Sequence, residues 1–130
     1  MKVFLWILQV LLGLAFISVA FLHSFGAAQA QTQPAMKWLL DVPRPLVLFI
    51  ALCEFLGGLG LILPMATKIR PRLTPLAALL LAVIMLFAAV FHIIRGEYSN
   101  IATNLILGIP TAFIAYGRWV IAPPKTASIG

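Results

Sequence analysis

The chain has 130 residues, 63% hydrophobic and only 9% charged, with a mean hydropathy of +1.12; soluble domains run about 45–50% apolar and about 25% charged. Its net charge of +6 comes from lysines and arginines scattered among long apolar runs, so the clustered basic face of a nucleic-acid binder is missing. A lone cysteine excludes an internal disulfide, a CxxC redox pair and a cysteine-based zinc site, and what remains is an integral membrane protein of one domain.

Crossing a hydrocarbon core of about 30 Å takes about 20 mostly apolar residues. Four stretches qualify: residues 3–23, 45–64, 75–94 and 101–121. Lys2, the first run and Ala28-Gln29-Ala30 together resemble a cleavable signal peptide. Signal cores span only about 7–15 residues, and this run is longer, so it reads as a retained helix with cleavage as the alternative. Residues 24–44 form the longest predicted loop; there Pro34 and Met36-Lys37-Trp38-Leu39-Leu40 suit a short interfacial turn or lid. Pro64 is expected to close the second helix, Thr74-Pro75 to cap and open the third, and Ser99 or Asn100 to cap the fourth. Pro110 lies inside the fourth and is expected to bend it. Residues 1–122 then make a single domain without repeats, and the tail after Pro123-Pro124 reads as disordered.

The basic residues orient these spans. Lys2, Lys68, Arg70, Arg72, Arg118 and Lys125 fall on one side; Lys37, Arg44 and Arg95 fall on the other, with Asp41 and Glu97. Excess Lys and Arg stays cytoplasmic, which places both termini inside and makes the chain a multi-pass protein of a bacterial inner membrane. Trp6, Trp38 and Trp119 fall near the predicted interfaces, as an aromatic belt requires.

Each predicted helix carries a polar residue on a stripe of small residues: Gln9, Gly13, Phe16, Ala20 and His23 in the first; Val47, Ala51, Glu54, Gly58 and Leu61, with Gly57 beside them, in the second; Ala78, Ala82, Met85, Ala89 and His92 in the third; Asn104, Gly108, Thr111, Ala115 and Arg118 in the fourth. Small residues let helices approach in a membrane, while Leu, Ile and Phe face lipid equally well. The expected architecture is an all-α, antiparallel four-helix bundle with a polar interior. At 1.5 Å per residue Glu54 lies roughly 14 Å below the outer face, His92 and Asn104 only about 5 Å below it, and His23 at the boundary. The geometry implies a blind cavity opening outward, with Glu54 at the bottom and Arg95 at the rim.

Glu54 is the most informative residue. An ionised carboxylate at the bilayer centre costs about 2.5–3.5 kcal/mol even on lenient scales; alone it takes up a proton, and ionised it needs a partner such as His92 or Arg95. A protonated Glu54 can donate to a quinone or another carbonyl; the alternative is a cross-helix bond that holds register. His92 is aimed at the same cluster by its stripe or simply reaches interfacial water, and His23 stands at the edge of the loop. His23 and His92 also present a lesser option, ligation of a haem iron from both faces. Asn104 suits a cross-helix hydrogen bond, and Arg95 and Arg118 suit interfacial charges that snorkel. Gly57, Gly58 and Gly60 read as close helix packing, since no strand precedes them to make a phosphate loop. Cys53 is expected to behave as a small hydrophobe. Catalytic triads, zinc motifs and carboxylate pairs are absent from the sequence.

Glu54-Phe55-Leu56-Gly57-Gly58-Leu59-Gly60-Leu61-Ile62-Leu63-Pro64 resembles the second-helix signature of the DoxX-like membrane proteins, and Phe91-His92-Ile93-Ile94-Arg95-Gly96-Glu97 is similar to the end of that family's third helix. The resemblance spans roughly Gly13 to Arg118. His23-Ser24-Phe25-Gly26 departs from the glycine and lysine with which many relatives end the first helix. The resemblance implies four spans, Glu54 and His92 as motif residues, and Gly57, Gly58 and Pro64 as structural ones. It also implies the company the family keeps: a subunit of an archaeal thiosulfate:quinone oxidoreductase, membrane redox or thiol-stress complexes, and assembly factors for ion channels in animals. It supplies no substrate.

The reading that unites these observations is a small inner-membrane protein that binds a lipid-soluble ligand, a quinone above all, in an outward-facing pocket. It would serve a redox partner rather than act as an enzyme alone. A membrane-protein partner or homo-oligomer is expected, with lipid around it and no nucleic acid. The alternatives are an assembly and stabilising partner of other membrane proteins and a small proton-coupled carrier, which four helices without an inverted repeat would support only as a dimer. A reporter fused after Gly130 is expected to read cytoplasmic; a periplasmic signal there reverses the orientation.

Overall fold

The computed structural model describes residues 1–26 and 30–124. Ala28 and Gln29 of the A-x-A motif, and the tail from Lys125 onward, lie outside the described residues. Four helices form the bundle: α1 (Lys2–Phe25), α2 (Arg44–Thr67), α3 (Leu73–Arg95) and α4 (Tyr98–Tyr116), the last prolonged by a π turn over Gly117–Ile121. A short 3-10 segment, Pro34–Leu40, fills the expected lid position between α1 and α2. All four helices are long and apolar enough to cross a membrane, and no strand occurs among the described residues. Successive helices pack against one another, and α4 closes back on α1.

The bundle turns its greasy residues outward. Leu11, Leu56, Phe87 and Ile106 stand exposed on the four helices, a surface suited to a lipid surrounding. Inside, Leu12, Phe16, Leu61, Leu81, Met85 and Ile114 make the apolar core. The predicted polar stripes face inward with it: Gln9, Glu54, His92, Asn104, Thr111 and Arg118 are all buried.

Glycines set the helix spacing. A Cβ on Gly13 would stand 2.9 Å from the Gly58 carbonyl oxygen, and one on Gly58 would stand 2.8 Å from that of Gly13. The α1 and α2 backbones are therefore in contact, and any side chain would push them apart. One residue before Gly58, about 100° around the helix, Gly57 accommodates Leu81 of α3, and Gly60 accommodates Ala77. Adjacent glycines thus serve two different helix interfaces.

Three expected helix boundaries are corrected. Pro64 does not close α2, which continues to Thr67. Proline has no N–H, so the Gly60 carbonyl loses its partner one turn earlier. The Thr74 hydroxyl of α3 supplies the missing bond, donating to that carbonyl at 2.8 Å. Thr74 consequently cannot cap its own helix, and α3 starts at Leu73 behind Arg72. The α4 cap position is Glu97 and has no side-chain cap bond; Asn100 instead donates to the Ala35 carbonyl at 2.7 Å. Pro110 does lie within α4. Between α3 and α4, Gly96 adopts φ 73°, a left-handed conformation that glycine takes without the usual steric penalty.

The Thr74 bond yields a direct test. Thr74→Val keeps the shape but orphans the Gly60 carbonyl, which costs about 1–3 kcal/mol in reversible unfolding in detergent. Thr67→Val, which removes an exposed hydroxyl bonded to Leu63 of its own helix, changes stability by less than about 0.5 kcal/mol.

Candidate functional site

The Gly13–Gly58 contact sets the level of the antiparallel α1 and α2. Ten residues onward His23 comes opposite position 48, leaving its Cα about 9 Å above that of Glu54 at 1.5 Å per residue. Side-chain direction closes this gap. Helical Cα–Cβ bonds tilt toward the amino end, so His23 reaches down from α1 while Glu54 reaches up from α2. Their side chains meet, with His23 Nδ1 2.7 Å from Glu54 Oε1. Glu54 is 1% exposed, and the His23 side chain keeps 17% of its surface accessible. Above them, Arg44 donates to the His23 carbonyl at 3.3 Å and to the Ser24 carbonyl, covering the otherwise unpaired end of α1.

A second polar group lies across the bundle. His92 Nδ1 is 2.9 Å from Glu97 Oε1, and Arg95 donates to the same oxygen through Nε at 2.8 Å. Arg95 Nη2 bonds to Asp41 at 2.5 Å. His92 and Arg95, expected from the sequence as partners of Glu54, are therefore directed to Glu97, and the partner of Glu54 is His23.

These contacts latch the 3-10 segment over the bundle. The Arg95–Asp41 ion pair ties one end and the Asn100–Ala35 bond the other, while Met36 and Leu39 bury themselves beside Val47. Trp38 presents its ring edge-on to His23 and His92, with centroids 5.0 and 5.7 Å away. Beneath it is a cavity of about 550 Å³. Leu46, Ile50, Met85 and Phe91 contribute to its mainly apolar wall; His23, Glu54, His92, Asn100 and Asn104 are among its polar residues. Two buried polar atoms there have no partner among the described residues, Glu54 Oε2 and Asn104 Nδ2.

Glu54, His92, Asn104 and His23 thus line one cavity, whereas Arg95 belongs to the latch outside it. Trp38 and Asn100 also line it, although the sequence marks them as a belt residue within a possible lid and as a helix cap, not as site residues. A tryptophan and prolines in a loop between two spans were the available signal. Trp38 contacts both imidazoles, and each Nδ1 bonds a carboxylate. No group of three or more His, Cys, Asp or Glu side chains suited to a metal ion occurs among the described residues. Gln9 and Arg118 form a separate buried pair, with Arg118 Nε donating to Gln9 Oε1 at 2.6 Å. Arg118 is accordingly not the snorkelling interfacial charge expected from the sequence, because the π turn after α4 directs it to Gln9 of α1.

Four spans around a lidded, mainly apolar cavity with a few buried polar groups define a multi-pass membrane protein. The model of the DoxX-like family matches residues 7–114, and the chain belongs to that family. No curated protein and no solved structure matches it.

Glu97, in the turn between spans, lends itself to a pH test. Its burial favours the neutral acid, but hydrogen bonds from Arg95 and His92 outweigh that and hold its carboxyl below the ordinary value. A group depressed in the folded state stabilises fully above its unfolded pKa, about 4.3, and this contribution disappears as pH falls through the folded pKa. Thermal unfolding in detergent is expected to show a weaker dependence on pH below that value in Glu97→Gln than in the wild type.

Proposed function

We propose that the cavity binds a lipid-soluble molecule with a polar ring, a quinone above all, and that the protein is an accessory to a membrane redox system. The observation that carries this reading is the free Glu54 Oε2, buried in an apolar chamber while Oε1 is held by His23. A buried polar atom without a partner is costly, and a ligand hydroxyl that donates to it would relieve the cost. Asn104 Nδ2, the second unpartnered atom of the cavity, offers a donor for a ligand oxygen. The volume of about 550 Å³ falls within the range of about 300–1,000 Å³ typical of small-molecule sites.

In this reading Glu54 exchanges a proton with the ligand hydroxyl, and His23, which keeps partial access to solvent, passes it to or from the outer side. Electrons go to or come from a partner redox protein, since this chain has no recognisable motif for a cofactor of its own. His92, locked to Glu97, shapes the wall and supports Trp38. With both termini cytoplasmic, the cavity lies toward the outer face of a bacterial inner membrane.

The test is mass spectrometry of an acidified solvent extract of the purified protein beside Glu54→Gln prepared identically. Glutamine keeps the size and a hydrogen bond to His23, so the bundle should fold while the carboxyl chemistry is lost. The expected result is quinone near one per chain in the wild type and its loss in the variant. Bulk lipid alone in both samples would overturn the reading and favour an assembly partner.

A further inference from the structure

All three acidic residues of the chain, Asp41, Glu54 and Glu97, belong to the cavity or to the latch above it. The opposite end holds Lys68, Arg70, Arg72 and Arg118 without a single Asp or Glu to balance them. Exposed cations there can be hydrated. Arg118 cannot, because it is only 2% exposed.

The Arg118 guanidinium is held rigidly. Its Nε donates to Gln9 at 2.6 Å, and its Nη1 donates to the Ala122 carbonyl at 3.2 Å. The Gln9 amide is itself fixed by donating to the Leu61 carbonyl at 2.8 Å. The third nitrogen, Nη2, is buried without a partner among the described residues. A buried guanidinium with a free donor and no counter-charge is expensive unless an anion completes it. Arg118 lines a recess of about 290 Å³ together with Arg72, Pro75, Trp119, Pro123 and Pro124. Arg72 caps α3, so the positive end of that helix dipole faces the same place.

We propose that this recess is a second binding site, specific for a phosphate group held between Arg118 and Arg72. The planar fork of arginine matches phosphate oxygens, and basic pockets between membrane helices on the cytoplasmic side take anionic headgroups. Trp119 in the wall has the amphipathic ring of a headgroup-level residue. The phosphate is the phosphodiester of an anionic phospholipid or a free phosphate from solution; the recognition chemistry is shared.

Native mass spectrometry of the detergent-purified protein offered phosphatidylglycerol and phosphatidylcholine separates the sources, alongside thermal unfolding with inorganic phosphate. The expected result is retention of phosphatidylglycerol over phosphatidylcholine. Arg72→Gln, on the exposed rim, is expected to lower that preference about fivefold, and Arg118→Gln about tenfold or more. Lys68→Gln, outside the recess, leaves it unchanged. Stabilisation by inorganic phosphate that requires Arg72, without a lipid preference, assigns the site to free phosphate. An equal loss in Lys68→Gln, or neither lipid preference nor phosphate stabilisation, overturns the proposal. Arg72 makes no buried hydrogen bond, so its variant remains informative even if Arg118→Gln fails to fold.

Discussion

Backbone contact between Gly13 and Gly58 is the constraint that organises this bundle. It sets the height of α1 against α2 and, through the opposed tilts of their side chains, brings His23 onto Glu54. A larger residue at either glycine would separate the helices and leave a carboxyl in hydrocarbon without its imidazole. Since lipid tails are as apolar as leucine, packing of small residues and internal hydrogen bonds must supply the cohesion that water supplies elsewhere.

The same constraint explains the treatment of the prolines and the polar side chains. Nothing in a bilayer core satisfies a freed carbonyl except another part of the protein. Thr74 therefore leaves the start of its own helix to meet Gly60, and α2 passes Pro64 unbroken. Gln9 and Arg118 solve one another's burial in part. Where pairing stops short, at Glu54, Asn104 and Arg118, the unpaired atoms lie on residues that line open space, and this is where ligands are proposed.

The two ends of the molecule consequently differ in sign and in design. One end has all three acidic side chains, two histidines and a tryptophan lid over an apolar chamber. The other has basic residues, two of which, Arg72 and Arg118, line a small recess. A protein with this asymmetry suits a neutral hydrophobic molecule at one face and an anion at the other, and the latch of Arg95, Asp41 and Asn100 lies at the first.

Membership of the four-helix class was legible from four apolar runs, since hydrocarbon thickness imposes their length. The inward faces were legible too, because polar and small residues recur at helical spacing around Gln9, Glu54, His92 and Asn104. Sequence also supplied the family, through the Glu54–Pro64 run and the end of α3. Only tertiary structure decided which polar groups meet. Rise per residue placed His23 and Glu54 at different depths; side-chain tilt and the glycine contact joined them. Local signals likewise assigned Thr74 and Asn100 to caps, yet each serves a carbonyl remote in the chain. Burial in the bilayer is a property that single residues display, whereas hydrogen-bond pairing depends on helix level and rotation, which no local pattern encodes.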